Sequence, residues 1–177
     1  MDRNHPRTLI YYRLVTMKRD IHYIIALLLL MGATTMHAQT IKGNIYGGGN
    51  LALVEGSTTI NIKSGEITTQ EEGDGNIYGG GYGASAVLTG NTTINVTGGT
   101  IAKDVYGGGA LANVTGSTEV NIQGGTVTQD VYGGGALANV TGSTEVNLTG
   151  GTISDSYGGG LGSNEVAALI GGVATTT

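Results

Sequence analysis

Glu71, Glu72, Asp74 and Asn76 place four oxygen-bearing side chains within six residues of a glycine-rich stretch. A flexible loop of oxygen ligands suits calcium, so these four are the candidate metal ligands. No Glu closes the loop at EF-hand spacing, and the competing reading is a solvated insertion. Asp104, Asp130 and Asp155 recur just ahead of a Tyr-Gly-Gly-Gly mark. Paired carboxylates are the tools of glycoside chemistry, but the only nearby cation is Lys103, and a regular recurrence makes a column of polar corner residues the simpler reading. All three His lie before residue 39 and there is no Cys. The common general base, the thiol nucleophile and the usual zinc ligands are therefore missing from the rest of the chain. No enzymatic activity is expected, and no cofactor beyond calcium at the acidic loop.

Tyr46, Tyr78, Tyr106, Tyr132 and Tyr157 each head a glycine run. Their rings are candidate ligand-binding platforms for sugars; the alternative is that they pack on one another. The glycine runs are not phosphate cradles, because no Gly-Lys-Ser/Thr follows them. Asn-x-Ser/Thr sequons at Asn91, Asn95, Asn113, Asn139 and Asn147 are expected from a Thr- and Asn-rich composition alone.

These residues recur because the chain repeats. The stretch beginning at Val105 starts again at Val131, looser copies begin at Ile45 and Ile77, and a fifth begins at Ser156 and loses the pattern. The tyrosine spacings are 32, 28, 26 and 25 residues. Val54 to Ile60, Leu88 to Ile94, Val114 to Val120 and Val140 to Val146 are all six apart; Ile62 to Ile67, Val96 to Ile101, Ile122 to Val127 and Leu148 to Ile153 are all five apart. Excess length sits at two joints: six residues at 70–76 and two residues after Gly81. Corners of a stack can bulge, whereas a paired strand that slips by one residue turns its side chains over.

Thr118 to Ile122 alternates apolar and polar residues, as a half-buried strand does. Thr126 to Thr128 reads as a second strand and Asp104 to Tyr106 as a third, with glycine pairs at corners that need positive φ. β-Branched residues and Gly dominate, so helix competes poorly. A unit of this size cannot bury its apolar face alone. Stacking in parallel, about 4.8 Å apart, would place Ile60, Ile94, Val120 and Val146 in one column and Ile62, Val96, Ile122 and Leu148 in the next. Asn61, Asn95, Asn121 and Asn147 would form an amide ladder. The expected fold is all-β: a parallel β-solenoid or β-helix, about 26 residues per turn, preceded by a helical signal peptide.

That signal peptide is read from Lys18-Arg19, the apolar run through Met31, and the small and polar residues ending at Ala38. The run is shorter than the roughly 20 residues of a membrane span. Residues 1–38 are thus an extension and leader, with Met17 the better start and cleavage after Ala38; an uncleaved anchor is the alternative. Residues 39–177 hold the repeats. Five of the eight Lys and Arg precede residue 20; beyond Ala38 three Lys face eleven acids, a net charge of −8. Nucleic acid and anionic membrane surfaces need clustered cations, so neither is an expected partner, and membrane contact is confined to the signal segment.

After Gly160 the next strand is due, but Ser163-Asn164-Glu165 is out of register; Val173 to Thr177 resembles the approach to another strand, and no polar cap is visible. The reading is a truncated repeat array whose last coil leaves a sheet edge open to self-association. The Val-Tyr-Gly-Gly-Gly, Asn-Val-Thr-Gly-Ser-Thr-Glu-Val-Asn-Ile and Gly-Gly-Thr-Val elements, over residues 41–160, resemble the Gly/Thr/Asn-rich repeats of secreted, adhesin-like surface proteins of Gram-negative bacteria. They are similar also to β-helical autotransporter passengers. The resemblance implies an exported structural or adhesive solenoid at the cell exterior, with host or matrix glycans or proteins as partners. The alternative is a carbohydrate-binding or degenerate polysaccharide-lyase-type module.

Overall fold

The computed structural model describes residues 39–177; the expected N-terminal extension and signal peptide, residues 1–38, lie outside them. The described residues contain twelve strands and no helix. In chain order they are β1 (Thr40–Lys42), β2 (Ile45–Tyr46), β3 (Thr58–Ile62), β4 (Glu66–Thr68), β5 (Ile77–Tyr78), β6 (Thr92–Ile101), β7 (Val105–Tyr106), β8 (Thr118–Val127), β9 (Val131–Tyr132), β10 (Thr144–Thr152), β11 (Ser156–Tyr157) and β12 (Ala174–Thr176). All pairings are parallel. One sheet runs β1-β4-β6-β8-β10-β12 with β3 also on β6; the other runs β2-β5-β7-β9-β11. A third side is a ladder of single bridges, Val54–Leu88–Val114–Val140–Ile170. Each repeat is thus one turn of a parallel β-solenoid.

Like residues lie above like, as the constant spacings require. Ile60 pairs with Ile94, Ile94 with Val120, and Val120 with Val146; Ile62, Val96, Ile122 and Leu148 align one column on. Ile94, Val96, Val120 and Ile122 are fully buried and pack with Ile77, Val105 and Val131 from the opposite sheet. Each such side chain contributes about 1.5–3 kcal/mol by leaving water. A smaller cluster of Leu88, Val114 and Val140 fills the third side. The polar residues that enter the interior are satisfied. Thr92 donates its hydroxyl to the Gly107 carbonyl at 2.6 Å, and Thr118 and Thr144 do the same to Gly133 and Gly158.

Three expectations are refined. The two strands read across the Gly-Gly pair are one continuous strand in β6, β8 and β10, bulged where Thr97 faces Gly124 and Gly150 faces Gln123. Gly125, at φ +79°, turns the corner, and residues on either side keep their bonds to the adjacent coil. Positive φ accounts for this glycine but not for those after tyrosine. A Cβ on Gly107 would collide with the Gly133 carbonyl oxygen of the next coil, so close approach is the requirement there.

The third refinement concerns residues 156–177, which form a fifth coil. Ile170 bridges Val140, and Ala174–Thr176 pairs with Thr144–Val146. The six-residue interval recurs from Ile170 to Thr176; the loop before it is longer, with 13 residues from Tyr157 to Ile170 against 8 from Tyr132 to Val140. Extra length at a corner leaves the paired positions untouched.

Candidate functional site

The tyrosines follow from strand alternation. In β5, β7 and β9 the first residue points into the core, so Tyr78, Tyr106 and Tyr132 emerge on the opposite face. There they form a stack with Tyr46 and Tyr157, every ring centroid 5.0 Å from the next and planes within 13° of parallel. Tyr78, Tyr106 and Tyr132 are 9, 3 and 8 % exposed, with Ala110 and Ala136 packed against the column. Their faces are occupied by neighbouring rings. Tyr46 and Tyr157, at the two ends of the column, each have one stacked tyrosine neighbour among the described residues.

Loss of hydration pushes the Tyr132 hydroxyl up to about 12, with the Asp130 carboxylate adding to the shift. Tyr78 and Tyr106 are raised further by the same burial, Asp104 contributing most of the rest at Tyr106. Tyr106 and Tyr132 donate their hydroxyls to Asp104 and Asp130 at 3.1 and 3.3 Å.

The recurrent aspartates belong to a ladder along one corner. Each side-chain oxygen accepts the backbone N–H of the equivalent residue one coil on: Asn76 to Asn44 at 2.9 Å, Asp104 to Asn76 at 3.1 Å, Asp130 to Asp104 at 2.9 Å, Asp155 to Asp130 at 3.2 Å. The asparagine ladder forms as expected: Asn95 donates to Asn61, Asn121 to Asn95 and Asn147 to Asn121 at 2.9–3.0 Å.

The four residues of the acidic loop separate. Asn76 is 5 % exposed and its oxygen serves the corner ladder. Asp74 is half-buried and turns to Asn44, accepting from its amide at 2.9 Å and from the Glu71 N–H at 3.3 Å. Glu71 and Glu72 stay on the exposed side of the loop. Among the described residues no three His, Cys, Asp or Glu side chains converge as a metal site would require.

Asp74 and Tyr46 are nonetheless brought together. With Asn44, Gly48, Asn50 and Tyr82 they line an open cleft of about 570 Å³. Tyr82 meets Tyr46 edge-on, centroids 5.4 Å apart and planes at 65°. Both joints where the repeat varies in length supply this cleft: Asp74 from the six-residue excess, Tyr82 from the two-residue excess. Sequence reasoning missed Asn44, Asn50 and Tyr82. A signal for Tyr82 was present, since the residue after the third glycine is Ala110 and Ala136 in the most regular repeats.

Compared with known family models, curated proteins and solved structures, the chain matches none.

Proposed function

We propose that this chain is an exported, adhesin-like scaffold that presents a regular polar surface at the cell exterior. The observation that carries the reading is the in-register outer face of the long sheet. Thr59, Thr93, Glu119 and Glu145 form one column and Asn61, Asn95, Asn121 and Asn147 the next, repeating at the strand spacing of about 4.8 Å. Such a lattice of donors and acceptors is rigid because each coil is pinned by side-chain ladders as well as backbone pairing. The apolar run ahead of Ala38 supports export, and the resemblance to Gly/Thr/Asn-rich surface repeats supports the adhesive role. The reading includes no catalysis.

Expression of the full reading frame in a Gram-negative host tests it. Mature protein beginning at Gln39 and digested by protease added to intact cells is the expected result. Protein that keeps residues 17–38 and stays in the cytoplasm would overturn it. A second reading, carbohydrate binding, is favoured by one observation, the aromatic and polar cleft at Tyr46, Asp74 and Tyr82.

A further inference from the structure

A stack of identical coils needs neither of the two length excesses. In the coils that begin at Val105 and Val131 both joints are short, and Ala110 and Ala136 close over the tyrosine column. In the coil that begins at Ile77 the equivalent residue is Tyr82, which is 46 % exposed. The loop ahead of that coil carries Asp74 to Asn44. The two irregularities, separated in the chain by the regular strand β5, meet in one cleft.

We propose that this cleft binds a neutral saccharide, an inference that rests on the reading of the protein as one working outside the cell. A pyranose has an apolar C–H face and a rim of hydroxyl groups. Its complement is an aromatic wall beside fixed acceptors and amides. Tyr46 and Tyr82 supply two walls inclined at 65°. The Asp74 oxygens each hold one N–H, from Asn44 and from Glu71, which fixes the carboxylate and leaves lone pairs for sugar hydroxyls. Asn50 adds an exposed amide that both donates and accepts. Asp74 and the two rings are held before the ligand arrives, which lowers the ordering cost of binding. The volume, about 570 Å³, lies within the roughly 300–1,000 Å³ of small-molecule clefts.

Charge sets the class. Among the described residues no Lys or Arg lines the cleft and Asp74 does, so uronates and phosphorylated sugars meet repulsion without a counter-cation. The other end of the tyrosine column lacks this constellation, since the residue four after Tyr157 is Leu161.

The test titrates the purified full chain with cellotriose, maltotriose and chitotriose, with trigalacturonate as the anionic comparator. Tyrosine emission reports binding, because the chain has no Trp. The expected result is saturable binding of at least one neutral trisaccharide, about tenfold or more tighter than trigalacturonate. Tyr82→Ala and Asp74→Asn each weaken it about tenfold in protein that still folds, while Tyr157→Ala leaves it unaltered. Absence of saturable neutral binding up to about 10 mM, indifference to Tyr82→Ala, or equal loss in Tyr157→Ala overturns the proposal. Loss of binding with export intact removes the cleft alone; failure of export removes the surface reading alone.

Discussion

Tyr82 stands edge-on to Tyr46 at 5.4 Å, across a coil boundary, whereas Tyr46 and Tyr78 stack in parallel at 5.0 Å across the same boundary. The parallel contact recurs from coil to coil; the edge contact occurs once among the described residues. The first belongs to the stack, and the second arises where Tyr82, in the two-residue excess, departs from the repeat. Edge-to-face pairs are favourable in themselves, by about 0.5–1.5 kcal/mol. Tyr82 therefore stiffens the cleft wall as well as forming it.

The glycines after tyrosine are held by the neighbouring coil, and one comparison isolates that cause. Gly108 and Gly159 occupy the same place in the repeat. A Cβ on Gly108 would sit 2.7 Å from the Gly135 nitrogen, while one on Gly159 meets nothing within 4 Å. Gly108→Ala should destabilise by about 1–3 kcal/mol. Gly159→Ala should be neutral or stabilising by up to about 1 kcal/mol. Urea denaturation of the two variants distinguishes close approach from backbone flexibility.

The amide ladder predicts a gradient. Asn121 donates to Asn95 and to Glu119 and accepts from Asn147, whereas Asn61 only accepts, from Asn95. Asn121→Ala should lower stability by about 1–2 kcal/mol and Asn61→Ala by about half as much. Equal losses in the same denaturation experiment would show that the ladder is not cooperative along the stack.

The tyrosine column makes the fold sensitive to alkali. Unfolding returns each hydroxyl to its ordinary value of 10, below the value of about 12 held by Tyr132 in the fold. The folded state thus favours the neutral ring. The associated stability is whole below pH 10 and is lost as pH rises towards 12. Tyr78 and Tyr106 act in the same direction. Tyrosinate absorbance should rise late and together with loss of the β-sheet circular dichroism signal. Ionisation of the column well before that loss would contradict the burial.

Calcium at residues 70–76 has a direct test. Asn76 gives its oxygen to the Asp104 N–H, and Asp74 is held by Asn44. The melting temperature should be the same in calcium and in chelator, and Glu71→Ala with Glu72→Ala should leave it unchanged. A chelator-dependent fall would make the loop a metal site.

How legible the chain was depends on what each residue answers to. Ile94, Val120 and the asparagines sit at positions set by their own coil and its copies, so constant intervals located them. The continuous strand Thr118–Val127 was hidden because Gly124-Gly125 looks like a break, and pairing to the adjacent coil carries the strand across it. The fifth coil was legible at its start, Ser156, but its completion was hidden because residues 161–169 match no other repeat, although Ile170 to Thr176 keeps the interval. Asn44 and Asn76 escaped the corner ladder because Asn and Asp share its job under different letters. Tyr82 and Asp74 lie in the irregular joints, where no other copy reports on their position. Their meeting depends on how two loops fold over the column.

The central claim is that the repeats make the scaffold and the irregular joints make the site. Its most direct test is a regularised chain lacking residues 70–75 and residues 82–83, which gives both joints the lengths found in the coil that begins at Val105. Measured for trisaccharide binding and thermal melting side by side with the native chain, it should melt at the same temperature or higher and bind no neutral trisaccharide. A regularised chain that binds as the native one does, or that no longer folds, would contradict the account.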